Sequence, residues 1–287
     1  MNTISLELNK EQISLIDQLY GDSKVDKLPN PYMVSFYKLL NCNISVYKSN
    51  KVVFQGSEAE EYASLFILDN YNKVRKENGL HAGSDEVGTG DFFGPICVCA
   101  AIVKDEDFEF LDSLGVRDSK QIDDKKIREI APSIIERIPH SLLVLDNAKY
   151  NEVIKTNNMN CIKAKMHNKC FLNLESKYGL PEHVYLDQFC EPAKYFEYLK
   201  DQEEIFPDIV FETKAEDKYL AVACGAIISR YAFLKSIDNM NQHYNFNFEK
   251  GAGTIVDECG KKFVKEYGEK ELRNVCKLNF KNVTKII

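Results

Sequence analysis

Hydrophobic and polar positions divide the chain into two differently patterned stretches. In the first, SLELNKEQISLIDQLYG predicts a short extended piece leading into a helix that ends near Gly21. NPYMVSFYKLL is amphipathic. ISVYKSNKVVFQG places two β-branched and aromatic runs around Ser49-Asn50, the pattern of a β-hairpin with a two-residue turn. SEAEEYASLFILDNY predicts a helix N-capped by Ser57, with Glu60 completing a capping box. Together these predict a small sheet covered by helices. The polar stretch NKVRKENGLHA, residues 72 to 82, carries both charge signs and Gly79, and is read as a linker.

Beyond it the pattern changes. GSDEV and PICVCAAIV predict consecutive strands joined by a glycine-rich turn, and SLLVLDN, EHVYLDQ and DIVFET predict three more. Helical patterns lie between them. DKKIREIAPSIIERI has apolar residues at 127, 130, 134, 135 and 138. NEVIKTNNMNCIKAKMHNKCFLNLESKYG is helical in its second half and stops at Gly179. AEDKYLAVACGAIISRYAFLKSIDNM predicts a long helix, apolar around much of its circumference and therefore buried. Strands first, then strands alternating with helices, imply an α/β unit with a mixed sheet flanked by helices.

Composition narrows the class. A chain of 287 residues fits one large domain or two smaller ones, and 44% hydrophobic with 28% charged residues is ordinary for a globular protein. No apolar run approaches the roughly 20 residues of a membrane helix, and MNTISLELNK lacks the basic start and apolar stretch of a secretion signal. The nine cysteines are odd in number and scattered, several lie inside apolar runs, and none forms a CxxC pair. Free thiols in a reducing, cytoplasmic setting are expected. The net charge of -7 argues against binding nucleic acid through bulk positive charge. It leaves room for a nuclease whose carboxylates are offset by divalent cations.

Four carboxylates share a context. Asp85 and Glu86 close the first strand of the second region, Asp187 closes HVYLD, and Glu216 opens the long helix after DIVFET. Strand ends and helix starts along one edge of a sheet are where α/β sites gather. Like charges a few ångströms apart raise each other's pKa, and a divalent cation resolves the conflict. Oxygen-only ligands select hard cations such as Mg2+ or Mn2+. Two such ions about 3.5–4 Å apart activate water and stabilise the leaving oxygen in phosphodiester hydrolysis. Adjacent Asp and Glu in a strand raise one difficulty, because successive side chains point to opposite faces. The strand must twist, or Glu86 must reach round or use its backbone carbonyl. Thr213-x-x-Glu216 is also a capping box by local pattern, so Glu216 has a second reading at the helix start.

Gly88-Thr89-Gly90 lets backbone amides approach a ligand closely, and with the Thr89 hydroxyl could hydrogen-bond a ribose 2′-OH. A tight hairpin turn accounts for the same residues. RDSKQ puts Lys120 before a helix, where it either solvates or meets a phosphate. Lys163, Lys165 and Lys169 in CIKAKMHNKC form a solvated helix face or a phosphate-binding ridge.

Taken together and in order, SDEVGTGDFFGP, RDSK, NCIKAKMHN, YLDQF, FETKAE, AIISRYAFL and KGAG resemble the ribonuclease H type 2 superfamily. NPYMVSFYKLLNCNISVYKSNKVVFQG resembles the TATA-binding-protein-like domain that precedes the catalytic domain in the ribonuclease HIII group and is absent from the HII group. The resemblance implies a TATA-binding-protein-like α+β domain over residues 1–75 and a ribonuclease H-like catalytic domain over 76–287. It implies endonucleolytic cleavage of the RNA strand of RNA–DNA hybrids, leaving 5′-phosphate and 3′-hydroxyl ends, by a monomer. It makes Asp85, Glu86 and Asp187 metal ligands and Glu216 the fourth catalytic carboxylate. Gly88, Thr89, Gly90, Lys120, Lys163 and Lys165 become substrate contacts, and the N-terminal domain holds the hybrid. Thr89 stands where the HII group carries a basic residue, and Asn279 where a His is common. The rival readings are an HII-like enzyme acting at RNA–DNA junctions, a non-enzymatic nucleic-acid-binding protein, and a calcium-binding structural domain.

Overall fold

The computed structural model describes residues 2–66, 79–116 and 122–287. Lys120 and most of the expected linker lie outside them. The chain divides into two units, Met1–Glu77 and Asn78–Ile287.

In the first unit β1 (Asn2–Glu7) runs into α1 (Lys10–Tyr20), and Asn9 with Gln12 forms a capping box at the helix start. Strands β2 (Met33–Lys38), β3 (Cys42–Tyr47) and β4 (Lys51–Gly56) follow, then helix α2, described over 59–66. The four strands pair antiparallel in the order β1-β4-β3-β2. Asn50, at φ 64°, makes the left-handed turn that reverses β3 into β4. Three residues separate the strands rather than two. NPYMVSFYKLL resolves as β2, whose alternation is broken by a bulge between Met33 and Ser35. Ile44, Val46, Val52 and Phe54 turn one face of the sheet inward onto Ile16, Ala59, Ala63 and Phe66. The other face carries two cross-strand rows, Phe36–Ser45–Val53–Ser5 and Lys38–Asn43–Gln55–Thr3, none of them buried.

The second unit holds β5 (His81–Val87), β6 (Ile96–Val103), α3 (Phe108–Ser113), α4 (Asp124–Arg137), β7 (His140–Leu145), α5 (Asn147–Val153), α6 (Met159–Tyr178), β8 (Val184–Asp187), α7 (Pro192–Tyr198), β9 (Val210–Glu212) and α8 (Leu220–Tyr244). It closes with α9 (Thr254–Tyr267), α10 (Leu272–Val275) and α11 (Val283–Ile286). The five strands order as β7-β6-β5-β8-β9, antiparallel on the β6 side of β5 and parallel on the β8 side. The mixed sheet flanked by helices is therefore present.

The period-two alternation sends the sheet's side chains to two helices. Ala82, Val98, Ala100 and Val184 pack against Ile162 and Phe171 of α6. The opposite face receives α8. A Cβ at Gly83 would meet the Val222 backbone nitrogen at 2.7 Å, and one at Gly225 would meet the Cys99 carbonyl oxygen at 2.6 Å. Two glycines, one on each partner, thus let helix and sheet touch backbone to backbone. By length and composition α8 could cross a membrane, but 67% of its most apolar stretch is buried within the fold, as befits a core helix.

A second core forms where Phe92 and Phe93, in the glycine-rich turn, pack with Phe233 of α8, Phe248, Phe263 of α9 and Cys276. All nine cysteines are free, and burial pushes the thiols of Cys97, Cys170 and Cys276 up to about 12.

Candidate functional site

Two parallel strands create the site. Ser84 of β5 pairs with Leu186 of β8, so the next residues, Asp85 and Asp187, reach the same rim of the sheet side by side. Both lie on the α8 face: Gly83 and Asp85 alternate with Ser84, and Tyr185, two residues before Asp187, packs on Ala215 and Val222. The Asp187 carboxylate accepts the N–H of Ala215 at 3.0 Å. That bond caps the 3-10 turn Ala215–Asp217 and carries Glu216 to the same rim.

Glu216 does not open the long helix as a capping box. Lys214 stands at φ 55°, in the left-handed region, and precedes the 3-10 turn; α8 begins only at Leu220, with no side-chain cap on its first turn. A long-range bond from Asp187, invisible in a local pattern, sets this turn. On α8 itself, the Ser229 hydroxyl donates to the Asp85 carbonyl at 3.3 Å.

The electrostatics report the convergence. Burial holds the Asp85 carboxyl well above the usual carboxylate range, and the charges of Glu86, Asp187 and Glu216 push it further; a hydrogen bond from the Glu86 N–H at 2.7 Å opposes them. Four carboxylates are thus within electrostatic reach of one point.

Glu86 obeys the strand alternation. Its side chain points to the α6 face, away from that of Asp85, and the strand does not twist to reunite them. There Lys163 forms an ion pair with one carboxylate oxygen and His167 Nε2 approaches the other at 2.9 Å. An ionised carboxylate only accepts, so Nε2–H donates, and Nδ1 faces the Ser84 hydroxyl at 2.7 Å. Burial raises the Glu86 carboxyl, but the hydrogen bonds and charge interactions of His167 and Lys163 outweigh it and leave it below its ordinary range. Phe189, just past Asp187, stacks on the His167 ring and lies 3.9 Å beneath the Lys163 ammonium.

The lysines do not form a solvated ridge. Lys163 is 7% exposed and its ammonium is engaged by Glu86. Lys165, two positions round the helix, pairs with Asp201 at 2.6 Å. Ser84 and Phe189 were missed as site residues, and His167 was not connected to Glu86. The available signals were the two-residue spacing of Ser84 and Glu86 and the four-residue spacing of Lys163 and His167. The turn itself is built as its glycines suggest. Gly88, at φ 96°, has no room for a Cβ beside the Pro95 carbonyl, whereas Gly90 is exposed with open space around it.

The donor set suits a hard divalent cation, because every candidate ligand is a carboxylate oxygen and their mutual charge is excessive. Among the described residues, no group of three or more His, Cys, Asp or Glu side chains is arranged to hold a metal ion by itself. Mg2+ needs none: it takes one or two carboxylates and completes its shell with water and substrate phosphate.

A family model described as Ribonuclease HII matches residues 82–283, and one described as a domain of unknown function, DUF3378, matches residues 3–78. The chain is 40% identical over 290 residues to the ribonuclease HIII of Lactococcus lactis subsp. lactis, covering 100% of this chain and 98% of that relative. It is 37% identical over 306 residues to the ribonuclease HIII of Bacillus cereus, with 100% and 98% covered. Among solved structures, one described as Bst-RNase HIII in complex with Mn2+ superposes with a TM-score of 0.73 at 33% identity, covering 99% of this chain and 98% of that one. The ribonuclease H2 of Pyrococcus horikoshii OT3 superposes at a TM-score of 0.60 over 72% of this chain and 96% of its own, and at 24% identity it speaks for the fold alone.

Proposed function

The chain belongs to the ribonuclease HIII family, divalent-metal-dependent hydrolases of the RNA strand in RNA–DNA hybrids, and we propose that Asp85, Glu86, Asp187 and Glu216 carry that reaction here. The observation that supports this most is the adjacency of Asp85 and Asp187 on neighbouring parallel strands, with Glu216 tethered to them through the Asp187–Ala215 bond. Asp85, Asp187 and Glu216 would hold Mg2+ or Mn2+ from the α8 face. Glu86, kept anionic by Lys163 and His167, adds its charge from the other side. When bound, the ions supply an activated water and neutralise the leaving oxygen. The products are a 5′-phosphate and a 3′-hydroxyl.

The protein's own groups do the rest. The rigid strand ends fix the carboxylates before substrate arrives. The exposed Gly90 and the Thr89 hydroxyl offer hydrogen bonds to a ribose 2′-OH, the group that separates RNA from DNA. Lys120, outside the described residues, is read as a phosphate contact from the resemblance of RDSK alone. The open face of the N-terminal sheet holds the hybrid and adds affinity. Eight buried free thiols out of nine accord with work in the cytoplasm, and the protein is read as a monomer.

The test uses a labelled RNA–DNA hybrid with Mg2+ or Mn2+. Asp85→Asn and Asp187→Asn should each lose at least about 10²-fold in kcat. Full activity in either variant overturns the assignment.

A further inference from the structure

We propose that Lys277 is a positioning residue for cleavage: its buried ammonium fixes the Asp91 and Gly94 carbonyls and thereby sets the Gly88–Thr89–Gly90 turn against the ribose. The inference rests on the reading of that turn as a ribose contact.

Lys277 is 0% exposed. Its Nζ donates to the Asp91 carbonyl at 2.8 Å and to the Gly94 carbonyl at 2.6 Å. Burial pulls its pKa down to about 8, opposed by the charge of Asp91 and by the thiols of Cys276 and Cys97. The Tyr150 ring, 5.8 Å away, closes the α5 side. A buried ammonium held by neutral carbonyls is expensive, and an apolar side chain of similar length would fill the same space more favourably. Stability alone therefore gives no reason for a charge here; the position of the carbonyls does.

Those carbonyls belong to the segment that carries the turn. The Asp91 side chain accepts the Gly251 N–H at 2.6 Å, and the Phe92 N–H donates to the Gly251 carbonyl at 2.8 Å. The Lys277 N–H returns to the Phe92 carbonyl at 2.9 Å, and the Gly94 N–H to Val275 at 3.0 Å. Without Lys277 the Gly94 carbonyl still receives Asn147 Nδ2 at 2.9 Å. Asp91 would lose the tie on its carbonyl, and Asp91 is the residue after Gly90. Its own N–H closes the turn onto the Gly88 carbonyl at 3.3 Å. Slack at Asp91 is thus passed directly to Thr89 and Gly90.

The experiment compares Lys277→Met, Asp91→Ala, Gly90→Ala and the Lys277→Met/Gly90→Ala double variant in the full chain, by steady-state cleavage of a labelled hybrid. Lys277→Met and Asp91→Ala should each raise KM about tenfold, with kcat within about threefold, as expected for one weakened hydrogen bond to substrate. Gly90→Ala has room for its methyl, so it reports the ribose contact itself. The double variant should be little worse than the worse single one, because both act through one turn. If Gly90→Ala raises KM and Lys277→Met lowers only thermal stability, the turn reading stands and the role of Lys277 is overturned. If Gly90→Ala changes nothing, the turn reading fails and takes the role of Lys277 with it. Should Lys277→Met not fold, Lys277→Gln takes its place, and an unchanged KM in that variant overturns the inference, because Asp91→Ala leaves the carbonyl that Lys277 holds in place. Additive effects in the double variant also overturn it.

Discussion

Two buried lysines show how the same residue type serves opposite ends. Lys163 is paired: Glu86 and the Phe189 face replace its lost water. Lys277 has backbone carbonyls as the hydrogen-bond partners of its ammonium, and burial leaves its proton correspondingly loose. The consequence for stability has a definite sign. In the unfolded chain a lysine stays protonated to about pH 10.4. In the folded chain Lys277 loses its proton near pH 8. Between those values the unfolded chain binds more protons, so stability rises with pH through the window and levels above it. Lys277→Met lacks this titration, while the other groups are common to both proteins. Urea unfolding at pH 7 and pH 10 should therefore show the wild type gaining on Lys277→Met, by up to about 3 kcal/mol over the full window. A difference that stays constant between the two pH values would place the Lys277 ammonium in water.

At the scale of elements, the site depends on how closely α8 lies on the sheet. Gly83 and Gly225 remove the two Cβ atoms that would hold them apart, and the obstacles they avoid include backbone atoms, the Val222 nitrogen and the Cys99 carbonyl, which cannot rotate aside. Gly83→Ala or Gly225→Ala should each lower stability by about 2–3 kcal/mol in urea unfolding. Each should also reduce kcat, because Ser229 and the turn bearing Glu216 move with α8. Stability within about 0.5 kcal/mol of wild type would mean that the contact is looser than drawn. The strands and buried α8 were legible in the sequence because periodicity and apolar runs mark them directly. β2 was not read as a strand, since its bulge interrupts the alternation. The turn at Glu216 escaped because its cap comes from Asp187, 28 residues earlier. The burial of Lys163 escaped for a related reason: lysine spacing places residues on a helix face, and only the neighbouring strand decides which face is wet. Asp85 and Asp187 were identified as a pair from their strand ends, a position that the sheet order makes adjacent.

For the whole molecule, the open question of physics is how a chain of net charge -7 holds a polyanion. Bulk attraction is absent, and two of the lysines expected to face phosphate are engaged by Glu86 and Asp201. Affinity must come from shaped surface, and the N-terminal unit offers one. Its outward rows of Phe36, Ser45, Val53 and Ser5, and of Lys38, Asn43, Gln55 and Thr3, form a mostly uncharged face with small hydroxyl and amide groups around an aromatic ring. Such a face suits contact with sugar and backbone edges and reads no sequence. On the proposal that this face holds the hybrid, binding energy equal in ground and transition states lowers KM and leaves kcat alone. In the full chain, a Phe36→Ala/Gln55→Ala variant should raise KM for a long hybrid about tenfold with kcat within about twofold. Thermal unfolding should be nearly unchanged, because neither side chain belongs to the buried face. A fall in kcat at unchanged KM would instead assign the N-terminal sheet a part in arranging the catalytic rim.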